Sequence, residues 1–148
     1  MNYYYYQNVT LPKVIAKSFS IDSDSITFDL KSVYPVPSLL TFIRSNIFSR
    51  YPGYETVVIQ DSVKFSSPTS YEFGIPSRDG KWTETSVTSN SLSGTFTVSS
   101  TTVNVSIRSS NPFKHTVVTK TANGVTYTRL SIAMINPILE DNITVAYF

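Results

Sequence analysis

The sequence predicts an all-β protein, an antiparallel β-sandwich or squat barrel of about nine to eleven short strands with one short helix over residues 38–50. Three observations carry this expectation. Fifteen valines, 12 isoleucines and 18 threonines stand against 4 alanines and 7 leucines, so residues suited to a pleated, half-buried surface far outnumber the best helix formers. Serine adds 23 side chains that tolerate the wet face of a sheet and compete with the backbone in helix interiors. The eight prolines, at 12, 35, 37, 52, 68, 76, 112 and 137, break the apolar stretches into short pieces, because proline cannot sit in a central strand.

Taken in order, residues 1–12 read as an aromatic arm or first strand and 13–148 as one β domain, the division that a chain of 148 residues favours. Val14 to Ile21 alternates as a strand, and Asp22, Ser23 and Asp24 make a polar turn. Ser25 to Leu30 sets Ile26, Phe28 and Leu30 against Thr27 and Asp29, a half-buried strand. Leu39, Phe42, Ile43 and Ile47 fall at helical spacing, with Ser38 as cap and Tyr51, Pro52 and Gly53 as stop, which predicts the single helix. Tyr54 to Gln60, Val63 to Ser66 and Tyr71 to Ile75 follow as short strands divided by Asp61, Ser62 and Pro68. Asp79 and Gly80 signal a tight turn before Lys81 and Trp82. Phe96 and Val98, then Val103, Val105 and Ile107, make a hairpin around Ser99 to Thr102. Asn123 and Gly124 fit a type I′ turn between Thr116 to Ala122 and Val125 to Ile135, and Ile143 to Phe148 reads as a last strand.

Catalytic signals are sparse. His115 is the only histidine, and no serine sits in a nucleophile elbow, so a hydrolase triad has little behind it and His115 reads as a surface strand residue. Asp22, Asp24 and Asp29 could offer hard oxygen ligands, but the spacing lacks the glycine and distal glutamate of a calcium loop, and an Asx turn explains them more simply. Five isolated glycines build no phosphate loop, so no cofactor is expected. The sequons at Asn8, Asn104 and Asn142 are no more than chance supplies in so Ser/Thr-rich a chain. Without cysteine there are no disulfides or thiolate metal sites. A net charge of +2 gives no electrostatic footprint for nucleic acid or an anionic membrane. No signal peptide and no spanning helix are visible, which sets synthesis in a host cytoplasm as the expectation.

Two aromatic features point to binding instead. Trp82 beside its turn, with Tyr71, Tyr51 and Tyr54 near in sequence, could stack on sugar rings as a carbohydrate-binding or adhesion module. Tyr3, Tyr4, Tyr5 and Tyr6 alternate across a strand, so both faces of that segment need cover, and a partner subunit is the natural source. Low charge, abundant Ser, Thr and Tyr, short strands and absent cysteine together resemble, in general character, the small β-rich virion proteins of tailed bacteriophages. That resemblance implies a non-enzymatic structural subunit located in the virion: a head decoration or auxiliary capsid protein, or a neck or tail ring component. Its partners would be copies of itself and other virion subunits, met through strand pairing and aromatic contacts.

Overall fold

The computed structural model describes residues 10–148, and the four tyrosines Tyr3 to Tyr6 lie outside them. Eleven strands are described: β1 (Lys13–Phe19), β2 (Ser23–Asp29), β3 (Leu39–Ser49), β4 (Thr56–Thr69), β5 (Glu72–Arg78), β6 (Lys81–Val87), β7 (Ser91–Val98), β8 (Thr101–Ser109), β9 (Phe113–Ala122), β10 (Val125–Met134) and β11 (Ile138–Tyr147). A 3-10 turn over Lys31–Val33 is the one helical piece among the described residues. The strands form two antiparallel sheets. The larger runs β1-β2-β3-β4-β11-β8-β7-β6 and the smaller β5-β10-β9. The protein is an all-β sandwich.

Alternation builds the core. Val105 and Ile107 in β8, Leu130 and Ile132 in β10, and Ile143 and Val145 in β11 are all buried, each separated from the next by a more exposed neighbour or a residue turned to the opposite face. Each such side chain, fully withdrawn from water, contributes roughly 1.5–3 kcal/mol. Two hairpins match the expected turn chemistry. Asn123 and Gly124 both carry positive φ, 50° and 73°, as a type I′ turn requires, and Ser99 at φ 54° opens the β7–β8 turn.

The expected helix over 38–50 is corrected to strand β3, which pairs with β2 on one side and β4 on the other. Its register shifts between Leu39 and Thr41. That bulge lets Leu39 and Phe42, three residues apart, both bury on the inner face. Spacing that looked helical is therefore an alternating strand with one residue inserted. A second correction concerns Asp61 and Ser62, expected to divide two strands: β4 runs through them as a single strand of 14 residues. Asp79 and Gly80 make the tight connection expected between two strands, carrying the chain from β5 in the small sheet to β6 in the large one.

The sheets are unequal, eight strands against three. Residues paired across neighbouring strands share a face, so Val14, Phe28, Arg44, Asp61, Ile143 and Ser109 form one row across the inner side of the large sheet. At Ile143 this row is fully covered, whereas at β1 every residue is exposed and at β2 every residue only partly buried. Three strands cannot roof eight. The outer end of the large sheet, β1 and β2 with the adjoining part of β3, is a wing that protrudes past its cover.

Candidate functional site: the wing and the cleft at its root

The wing exposes apolar side chains on its surface: Leu11 before it, Val14 and Ile15 within β1, Phe19 at 68% exposure and Ile21 at 89% in the turn to β2. Register places Val14 and Phe19 on the inner face, opposite Phe28 and Asp24, in line with the exposed Phe48 and Val57. Ala16 and Ser18 turn outward. The β1 edge carries Lys13, Lys17 and a bulge between Val14 and Ala16, features that oppose indiscriminate strand addition. At the wing's tip Arg50 grips Asp24 at 2.6 Å and the carbonyl of Ser20 at 2.6 Å, pinning the β1–β2 turn to the end of β3. The Arg50 hydrogen bond holds the Asp24 carboxyl below its ordinary range.

Where the wing meets the small sheet, a cleft of about 520 Å³ opens between β3 and β4 on one side and β5 on the other. Tyr34 and Phe42 pack as a tilted pair at a ring separation of 5.2 Å, Phe65 and Tyr71 as another at 6.4 Å, and Phe73 closes the wall. At its floor lies Arg44. Its guanidinium donates through Nε and Nη2 to both oxygens of Asp61, at 2.7 and 2.6 Å, and lies 5.8 and 5.6 Å from the ring centroids of Phe42 and Phe73. The Asp61 side chain is wholly buried while Arg44 keeps 29% exposure. This bidentate bond raises the Arg44 pKa, and burial pushes the Tyr71 phenol far above its ordinary range. On the outer lip Arg129 pairs with Glu72 at 2.8 Å and spreads over Gly74, whose missing side chain makes the room.

Tyr71 and Trp82, proposed from sequence as neighbours for stacking, are not brought together. Tyr71 lines the cleft, whereas Trp82 lies on the edge strand β6, packed 5.0 Å from Phe96 and against Gly94, beside a different hollow lined by Val117 and Thr128. Its indole N–H is buried without a partner among the described residues. Tyr51 and Tyr54 stand exposed in the β3–β4 connection.

His115 is placed on the inner side of β9, where its Nε2 lies 2.7 Å from Glu84 of β6, so the pair links the edges of the two sheets. No serine hydroxyl hydrogen-bonds to it among the described residues. Asp22, Asp24 and Asp29 do not converge either: Asp24 is engaged by Arg50 and Asp29 accepts the Lys31 backbone N–H at 2.9 Å. Among the described residues no three His, Asp or Glu side chains gather as a metal site would require.

Sequence reasoning missed two carboxylates. By sequence Asp61 reads as a strand breaker. Asp141 is fully buried and accepts hydrogen bonds from the hydroxyls of Ser109 (2.8 Å) and Ser110 (2.7 Å) and from the Asn111 side-chain amide (2.9 Å), which locks the β8–β9 corner. The Ser-Ser-Asn-Pro run before β9 was its one local signal, since such residues accept and donate at corners.

Among solved structures the chain is similar to a heparinase III gene product, at 16% identity and a TM-score of 0.59 over 92% of this chain and 21% of that one. The same gene product with methylated lysines gives 16% identity and a TM-score of 0.59 over 90% and 20%. This chain thus spans about a fifth of the length of those chains. At such identity the likeness is one of fold, a β-sandwich. No protein-family model and no curated protein matches the sequence.

Proposed function

We propose that the chain is a non-enzymatic structural subunit of a phage particle, a head decoration or auxiliary capsid protein or a neck or tail ring component, which joins other subunits through its wing. The observation that carries this reading is the exposure of every residue of β1, with large apolar side chains uncovered on a sheet end that the second sheet does not reach. Isolated proteins avoid such surfaces, because an uncovered apolar sheet end invites association. Lys13, Lys17 and the bulge restrict edge growth, so the contact draws mainly on the wing's faces, with Phe19 and Phe48 as anchors of low conformational entropy. The tyrosines Tyr3 to Tyr6, outside the described residues, precede this wing in the chain.

Sedimentation velocity and particle incorporation test the reading. The intact chain is expected to self-associate or to enter particles. The V14K/F19K double variant and a deletion of residues 2–11 are expected to keep a β far-UV spectrum and lose that association. A wild-type chain that stays monomeric at high concentration and is absent from purified particles would overturn it.

A further inference from the structure

We propose that the cleft at the root of the wing binds an uncharged saccharide, stacking one sugar ring against its aromatic walls. This goes beyond the assembly reading and does not depend on it. The volume, about 520 Å³, lies within the range of small-ligand sites, and the composition matches: a mostly apolar lining with a few polar groups. Sugar rings present flat C–H faces that suit aromatic side chains and a rim of hydroxyls that needs donors and acceptors. The exposed ring of Tyr34 and the partly buried ring of Tyr71 supply the faces, with the buried rings of Phe42, Phe65 and Phe73 packed behind them. The rim is supplied by the phenols of Tyr34 and Tyr71, the Ser70 hydroxyl and Nη1 of Arg44, which has no protein acceptor among the described residues once Nε and Nη2 are bound to Asp61.

Charge selects the kind of sugar. The two cations on the lining, Arg44 and Arg129, are each neutralised by a carboxylate, Asp61 at 2.6 Å and Glu72 at 2.8 Å. An anionic ligand would find no spare counter-charge, and would have to displace a buried bidentate pair to obtain one. The Tyr71 phenol is protonated at neutral pH, as a tyrosine ordinarily is, and burial shifts it further that way. Peptide is the less favoured occupant, because an extended chain would add to the open edge of β5, where Pro76 lacks an N–H and Arg129 lies across Gly74.

Saturation-transfer NMR and calorimetry on the full chain test this with maltose, cellobiose and N,N′-diacetylchitobiose, with a heparin fragment and a polyproline peptide as contrasting arms. At least one uncharged disaccharide is expected to bind in the millimolar range or tighter, with ring protons showing the strongest transfer. Y34A and Y71F are each expected to weaken binding several-fold while Y54A, far out on an exposed loop, leaves it unchanged. Y71F preserves the ring and guards against misfolding as the cause. Saturable binding of the heparin fragment or the peptide in preference to every uncharged sugar would overturn the proposal, as would binding indifferent to both cleft variants or no binding by any uncharged sugar.

Discussion

A buried aspartate is the residue on which the inner side of the large sheet turns. Asp61 gives up all contact with water, and only the bidentate grip of Arg44 makes its burial tolerable. Removing one partner should therefore hurt more than removing both. Asp61→Ala is expected to destabilise the fold by about 3 kcal/mol, the low end of the range for breaking a buried pair, because Arg44 retains some access to solvent. The double variant with Arg44→Met should recover part of that loss, and equal midpoints for single and double variants in urea denaturation would show that the stranded charge is not the cause. From sequence alone Asp61 carried no such message. A lone acid between apolar residues reads as punctuation unless its partner is known, and Arg44 lies 17 positions away on a strand that had been expected to be a helix.

At the level of elements, alternation made β2, the β7–β8 and β9–β10 hairpins and the type I′ turn at Asn123-Gly124 legible, since each follows a period of two flanked by turn residues. Strand β3 was not legible, and the reason is local. A single inserted residue between Leu39 and Thr41 converts a two-residue period into an apparent three-residue one, while Ile43 and Ile47 on the outer face complete the counterfeit helical stripe. The isoleucines and Thr41, stiff at their branched carbons, favoured the strand all along. Pairing of β6 with β7 rests on another small detail: a Cβ at Gly94 would run into the Thr83 carbonyl and the Trp82 ring. Gly94→Ala is expected to lose about 1–3 kcal/mol through this overpacking. Gly53→Ala, in open space at φ 80°, should lose about 1 kcal/mol from backbone strain alone. Thermal or urea midpoints that rank the two in the reverse order would refute the steric account.

The whole molecule answers to pH through two partly buried phenols. Burial raises the pKa of both Tyr71 and Tyr147. Below about pH 10, where an unfolded tyrosine ionises, both states are protonated and the fold loses nothing; above it the unfolded chain releases protons that the folded one retains. Stability should therefore fall as pH rises beyond about 10, by up to roughly 1.4 kcal/mol per pH unit for each phenol. Denaturant midpoints should decline less steeply for Tyr71→Phe, and an equal decline would exclude Tyr71 as a source. Partition between the two sheets was hidden in the sequence, because β5, β9 and β10 come together from stretches on either side of β6 to β8, and no local pattern encodes which sheet a strand joins. That same order has a kinetic side. Strand β11 is the seam between β1–β4 and β8–β6, so until residues 138–147 have emerged the chain holds two disconnected meanders, each with a raw margin. Maturation of this protein is consequently a late zippering event, with joints to β4 that span some 80 positions, and a slow, aggregation-exposed refolding phase is the signature such distant closure leaves.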